Sequence, residues 1–506
     1  MIRTGEQYLE SLRDGRVVYV GGELIDDVTT HPKTRAYAAR TAEFYDMHHD
    51  PELQDLMTFV DDQGERRAMI WYRQVDHEGL VRKRTYLEAI IRKFDGGSTP
   101  RTPAANNTCL ITYVDDPQPW SDQSIGTGGR DLTAGIREFY QLVQDNDYNC
   151  VPAFIDPQVD RSKDRTQVDS PALRVVSTND DGIIVRGVKA VATGVPFADF
   201  IHLGVFVRPG MPGEEVIYGA VPVATPGVTV ISREATVKDD PVNHPLASHG
   251  DELDCSIIFE DVLIPWKYVF HIGNPEHAAL YPQRVFDWIH YEALVRQYVR
   301  AELMLGLALL MTAHIGTYQL PPVQVRLAKL VEFHQVLRAF VIASEIEGFH
   351  SPSGLFKPDP LLFNMGRAHY LENVKNIVGE VIDLAGRASL LFPSEEQWNE
   401  PALHDWLEQL HTGATGRPHD RVQISRAIRD LFLTDWGDRL STFEQFNGSP
   451  LLSIRTLTMK RADISPTGSI ADLAREVCGL SAESDAKSAY ESQAEYARRL
   501  DSAAAR

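Results

Sequence analysis

The stretch VFDWIHYEALVRQYVRAELMLGLALLMTAHI, residues 285–315, carries few helix breakers, and its reading decides the fold. An unbroken run of that length predicts one long helix. Its most apolar part, LMLGLALLM at 303–311, is too short to span a bilayer and sits between Glu302 and His314. It reads as a helix buried in a bundle. Three more long helical stretches follow, at 322–349, 361–392 and 421–440. Four helices with short links predict an antiparallel helix bundle over residues 276–470.

Upstream, residues 146–275 change to strand texture. LRVVSTNDDGIIVRGVKAVATGV, 173–195, holds two β-rich runs joined by a turn at Asn179-Asp180-Asp181-Gly182. DFIHLGVFV, EVIYGAVPV, GVTVISR and CSIIFEDVLIPW continue the pattern, so six or seven short strands predict a small barrel or sandwich. Residues 1–145 return to helical spacing, from Thr4 with Glu6 and Gln7 onward. The tail, 471–506, is polar and reads as helical, packing on a neighbouring subunit or fraying. The expected fold is α+β, mainly α, in the order helical N-terminal domain, β middle domain and C-terminal four-helix bundle. A β layer set against a bundle can hold a flat cofactor in the crevice between them.

The chain has 506 residues, too many for one small core. Its net charge of -21 leaves no excess of Lys and Arg to neutralise phosphates, which argues against nucleic acid or an anionic membrane as partner. Cys109, Cys150, Cys255 and Cys478 form no CxxC pair, so no zinc ribbon or disulfide framework is expected, and the thiols read as reduced and the compartment as cytoplasmic. The N-terminus lacks the apolar core of a signal peptide. HExxH, P-loop, GxSxG and GxGxxG patterns are absent from the sequence, and GTGG at 126–129 has the wrong spacing for a dinucleotide loop. The awkward turn YNCVPAFIDPQVDR, 148–161, contains Pro152 and Pro157 and ends in a polar cluster of Gln158, Asp160 and Arg161.

Several stretches together resemble the flavin-dependent aromatic hydroxylases of the 4-hydroxyphenylacetate 3-monooxygenase family. They are TGEQYLESLRDGR, DVTTHP, FIDPQVDR, GVKAVATG, FEDVLIPW and FEQFNGSP. PRTP at 100–103, HPLASHGDELD at 244–254, NPEHAALYPQRVFDWIHYEAL at 274–294 and RAIRDLFLTDWGDRL at 426–440 resemble its polychlorophenol 4-monooxygenase branch. The resemblance covers nearly the whole chain. It implies an acyl-CoA dehydrogenase-like fold, a homotetramer, reduced FAD (FADH2) and O2 as co-substrates, and a separate NAD(P)H-dependent flavin reductase. It implies a small aromatic substrate attacked through a flavin C4a-hydroperoxide.

The resemblance assigns flavin contacts to Gln158, Arg161, Thr193 and the turn Asn447-Gly448-Ser449-Pro450, with Arg233 and Arg439 as further candidates. An arginine can pair bidentately with phosphate, and a glycine lets backbone approach a ligand closely. A phenol reacts far better as its phenolate, so a base near neutrality helps. Some relatives carry a histidine in the 148–161 turn, where this chain has Pro152. The branch points instead to His290, one helical turn after Phe286. Arg101 is expected to stabilise the phenolate or peroxide, with Phe206 and Phe286 as ring walls. Relatives often have Asp and an aromatic residue where this chain has Ala104 and Ala105, which leaves room for a halophenol or a bulkier ring such as a hydroxypyridine. The alternatives are a lyase or dehydrogenase acting on a CoA thioester in the same fold, and a non-catalytic scaffold.

Overall fold

A computed structural model describes residues 2–115, 130–160, 162–163, 168–208, 210–462, 464 and 469–480, without the side chains of 282–284. The described residues up to Leu451 form one compact unit, and those from Leu452 onward form a second.

The chain enters through helix α1 (Gly5–Ser11), whose start is locked by a capping box. Thr4 Oγ1 accepts from the Gln7 amide at 3.2 Å, and Gln7 Oε1 accepts from the Thr4 amide at 3.0 Å. Next comes a feature that the helical reading of this region did not include. Strands β1 (Val17–Val20) and β2 (Glu23–Ile25) form a hairpin around Gly21-Gly22. Both glycines have positive φ, +59° and +84°, as a tight two-residue hairpin turn requires. Val18 and Val20 point inward while Val17 is exposed, the period of two of a half-buried strand. Helices α2 (Arg35–Asp46) and α3 (His77–Lys93) follow, separated by the small hairpin β3 (Thr58–Val60) and β4 (Arg66–Ala68). Helices α4 (Pro103–Asn107) and α5 (Leu132–Asn146) complete the helical lead.

The β layer adds eight strands among the described residues: β5 (Cys150–Ala153), β6 (Arg174–Thr178), β7 (Gly182–Thr193), β8 (Phe200–Leu203), β9 (Ile217–Pro222), β10 (Val228–Ser232), β11 (Asp254–Pro265) and β12 (Val269–Ile272). They form a six-stranded sheet, β2-β1-β10-β11-β7-β6, and a four-stranded sheet, β12-β9-β8-β5. The N-terminal hairpin is part of the larger sheet, because β1 runs parallel to β10 with Val17 opposite Thr229. The turn at 179–182 joins β6 to β7, and Asn179 Oδ1 accepts from the amides of Asp181 and Gly182.

The 148–161 turn joins the two sheets. Past β5, Ile155 bridges Val191 of β7. The next residue, Asp156, accepts from Lys189 Nζ at 2.7 Å, and Lys189 also donates to the Gly204 carbonyl. Lys189 is buried, so desolvation lowers its pKa while Asp156 opposes the shift.

The opening stretch is helix α6 (Tyr281–His314), 34 residues long. It packs against α7 (Pro321–Ile346) and α8 (Pro360–Ala385). The stretch at 421–440 reads as one helix but folds as two, α9 (Pro418–Phe432) and α10 (Asp435–Phe446). Thr434 breaks it: its backbone is extended, and its Oγ1 caps the second helix by accepting from the Gly437 amide. One continuous apolar cluster runs from Tyr86 through Val185 and Phe259 to Leu294, Leu337 and Val381. Each such side chain contributes about 1.5–3 kcal/mol by leaving water. No helix among the described residues is long and apolar enough to cross a membrane.

The architecture is that of the expected acyl-CoA dehydrogenase-like class: helical lead, β layer, helix bundle.

Candidate active site

Arg101 lies just before α4, whose start is capped by Thr102 Oγ1 accepting from the Ala105 amide. The backbone of Arg101 is held on three sides. Its carbonyl accepts from Tyr37 Oη at 2.8 Å and Asn106 Nδ2 at 3.2 Å, and its amide donates to Glu252 Oε1. The guanidinium Nη2 donates to Asn447 Oδ1 at 2.9 Å, and its carbon lies 5.4 Å from the Phe443 ring centre. Its buried Nε has no hydrogen-bond partner. Burial pulls the Arg101 pKa down, although Glu252 opposes this. Ala104 and Ala105 are buried in the first turn of α4.

His290 sits on α6, one turn beyond Phe286, with ring centres 6.0 Å apart and planes at 20°. Phe286 stacks on Phe206 at 5.1 Å and 9°, and meets the edge of Phe154 at 5.0 Å. The three rings Phe206, Phe286 and His290 therefore form a column of near-parallel planes. Aromatic contacts of this kind contribute about 0.5–1.5 kcal/mol each beyond burial.

The turn after α10 closes on this column. Asn447 caps α10, its amide donating to the Phe443 carbonyl at 2.7 Å, while its own carbonyl accepts from Arg367 Nη2 at 3.0 Å. Gly448 has φ of +73°. A Cβ added there would lie 2.8 Å from His290 Cδ2, 3.1 Å from His290 Nε2 and 3.2 Å from Arg367 Nη2. Glycine is required both by the backbone and by the closeness of the imidazole. Ser449 also has positive φ, +118°, and Pro450 is exposed.

Thr193, Arg233 and Arg439 belong to an adjoining charged frame. Thr193 Oγ1 donates to Asp254 Oδ1 at 2.7 Å, and the two residues face each other across β7 and β11. Arg439 grips Asp254 with Nε at 2.8 Å and Nη2 at 2.6 Å, and Glu252 with Nη1 at 2.7 Å. Arg233 joins Asp254 at 2.9 Å and Asp251 at 2.8 Å. Burial raises the Asp254 carboxyl, but Arg439, Arg233 and the Thr193 hydroxyl outweigh it and hold its pKa well below the usual carboxylate range. Glu252 goes the other way, pushed up by burial against the pull of Arg439. The frame meets Arg101 through Glu252, which accepts from both Arg101 and Arg439.

Arg101, Thr193, Phe206, Arg233, Phe286, His290, Arg439, Asn447 and Gly448 are thus joined by successive contacts. Gln158 is exposed, beyond the Ile155–Val191 bridge. Arg161 lies outside the described residues.

Reading the sequence alone passes over Phe154, Glu252 and Arg367. Arg367 is fully buried, and burial pushes its guanidinium down to about 9, with Arg296 adding to the shift. Its signal was in the sequence: it shares a helix face with the buried Phe363 and Tyr370, four before and three after, where a cation is out of place.

Comparison with known proteins identifies the family and the fold. The N-terminal part of the 4-hydroxyphenylacetate 3-hydroxylase family matches residues 4–271, and its C-terminal part matches residues 279–474. The chain is 58% identical to the 2,4,6-trichlorophenol monooxygenase of Cupriavidus pinatubonensis, over 99% of this chain and 97% of that one. It is 54% identical to the FADH(2)-dependent monooxygenase TftD of Burkholderia cepacia, with the same coverage. Among solved structures, the oxygenase component of 4-hydroxyphenylacetate 3-monooxygenase, complexed with FAD and 4-hydroxyphenylacetate, superposes with a TM-score of 0.86 at 26% identity, over 94% of this chain and 98% of that one. The butyryl-CoA dehydrogenase of Megasphaera elsdenii shares the fold, with a TM-score of 0.51 at 13% identity, over 90% and 97% of the two chains. The chain belongs to the 4-hydroxyphenylacetate 3-hydroxylase family of flavin-dependent aromatic monooxygenases, in its chlorophenol monooxygenase branch.

Proposed function

We propose that this chain is the oxygenase component of a two-component monooxygenase, using reduced FAD and dioxygen to hydroxylate a phenol-like aromatic. The observation that carries the reading is the convergence of Arg101, His290 and the 447–448 turn beside an aromatic wall. A separate flavin reductase, drawing on NADH or NADPH, supplies the reduced cofactor.

The residues suit a flavin and a phenolate. The Nε atoms of Arg101 and Arg367 are both buried without a hydrogen-bond partner, and burial lowers both guanidinium pKa values. Such a cluster is stabilised by an anion. Gly448 keeps side-chain atoms out of the space against His290. Reduced FAD, when bound, supplies the electrons that turn dioxygen into an oxygen-atom donor. Gln158, Arg161, Thr193 and the turn Asn447-Gly448-Ser449-Pro450 would hold it. Arg233 and Arg439, already bound to Asp251, Glu252 and Asp254, would stiffen that seat rather than act as free donors.

His290 takes the phenol proton, and Arg101 holds the resulting phenolate oxygen. The stacked pair Phe206 and Phe286, backed by Phe154, walls one side of the ring and keeps water out. Ala104 and Ala105, buried in the first turn of α4, add only a methyl group each to their surroundings, which suits a substrate carrying ring substituents. The substrate class we favour is a halophenol, as in the name of the 58% identical trichlorophenol monooxygenase, ahead of a hydroxypyridine. Exposed Val325 and Ile346 on α7 suit burial against further copies in a homotetramer, which light scattering would test.

CoA-thioester chemistry on a metal cluster gains no support from the thiols. Among the described residues no group of three or more His, Cys, Asp or Glu is placed to hold a metal ion, and Cys109, Cys150 and Cys255 are buried free thiols.

The test is an anaerobic complex with FADH2, mixed with labelled dioxygen and a panel of chlorophenols and hydroxypyridines. One labelled oxygen in an aromatic product is expected. Failure to bind FADH2, or products without label, would overturn the reading.

A further inference from the structure

A cavity of about 140 Å³ opens on the bundle side of α10. Ser441 and Gln445 face it, roughly half a helical turn away from Arg439 and Phe443, which face the frame described above. Met304, Leu371, Val374, Val378 and Phe432 form an apolar wall on one side. Three buried polar side chains also line it, Tyr370, Arg300 and Glu444.

Arg300 is only 3% exposed, and its Nη1 is buried without a hydrogen-bond partner. Burial lowers its pKa; the nearby Tyr370 opposes this and Arg296 adds to it. The carboxylates at the cavity do not neutralise it. Glu444 is paired with Arg296, and Asp438 is exposed, as is Lys375. A buried cation without a counter-charge is costly, and an anion entering beside it would offset that cost. The volume matches one aromatic ring, since an apolar protein cavity of about 150 Å³ takes up benzene.

We propose that this cavity binds a ring-sized monoanion, a phenolate or an arenecarboxylate, with its charge on Arg300 and its ring among the Met304, Val374 and Phe432 side chains. The site is separate from the Arg101–His290 cluster and does not rest on the function assigned to that cluster.

The probe is 4-bromobenzoate. Titration calorimetry on the full chain should find one more equivalent bound by the wild type than by Arg300→Met. Val374→Phe, which fills the cavity with carbon, should lose the same equivalent while keeping the wild-type circular dichroism. In soaked crystals, anomalous scattering should place bromine in the cavity. Unchanged stoichiometry in a folded Val374→Phe protein, or bromine at other positions alone, would overturn the proposal. If Arg300→Met does not fold, the Val374→Phe titration decides alone.

Discussion

Arg101 Nη2 donates to Asn447 Oδ1 across 2.9 Å, joining two residues 346 positions apart in the chain. The same asparagine accepts from Arg367 through its carbonyl. One residue therefore sets both the position of the Arg101 guanidinium and the path of the backbone at Gly448.

Replacing Asn447 with Ala leaves Arg101 without that partner while sparing the carbonyl bond to Arg367. A hydrogen bond to a charged group contributes about 1.5–3 kcal/mol. If that bond orients Arg101 toward the reacting phenolate, kcat/KM falls by roughly 10- to 100-fold. Steady-state kinetics with a saturating supply of reduced flavin checks this. Arg101→Lys keeps the charge but not the planar fork, and is expected to fall at least as far.

Gly448→Ala places a methyl group 2.8 Å from His290 Cδ2 at a φ of +73°. The steric and backbone strain together cost about 1–3 kcal/mol. We expect a lowered melting temperature and a displaced imidazole, read as a larger share of reduced flavin lost to hydrogen peroxide. Gly479→Ala, at φ +63° with open space around it, separates the backbone effect from the clash.

Asp254 gives the pH dependence. Its folded-state pKa lies below the unfolded value of about 3.9, so the stability it contributes is complete above about pH 4. That contribution is lost as pH falls through the folded pKa. Asp251, also lowered, adds in the same direction: burial opposes the shift and Arg233 outweighs it. Asp254→Asn should lower stability at pH 7 by roughly 2–3 kcal/mol, since two guanidiniums lose a shared carboxylate. It should also flatten the acid limb of a chemical-denaturation series between pH 5 and 3.

The parts of the fold that depend on near neighbours were legible from residues alone. The Thr4–Gln7 box, the Asn179–Gly182 turn and the unbroken run of α6 each declare themselves within a few residues. The parallel pairing of Val17–Val20 with Val228–Ser232 does not, because nothing near Val17 names a partner two hundred residues away. The break at Thr434 was hidden by helix-forming neighbours on both sides, although Thr followed by Asp435 in the first turn is a cap signal. In the site, Gly448 was readable as a close approach, but not as an approach to His290. Arg233 and Arg439 were readable as cations, and Asp251-Glu252-Leu253-Asp254 as an acidic run. That they meet follows from tertiary structure: the pairing of β10 with β11 brings Arg233 to the run, and the packing of α10 brings Arg439. Arg367 was visible as a charge on an apolar helix face with Asn364 one turn before it as a partner, yet its second partner, the Asn447 carbonyl eighty residues on, leaves no trace in sequence.

We propose that His290 removes the phenol proton. The measurement that tests it most directly compares wild type with His290→Asn across phenols of graded acidity, at fixed pH and with reduced flavin supplied. If the claim is right, hydroxylation of weakly acidic phenols falls by about 10²–10⁴. The loss shrinks toward nothing for phenols already ionised in solution, and the acid limb of the pH–rate profile disappears. An equal loss for every phenol, whatever its acidity, would contradict the account and leave His290 a part of the pocket wall.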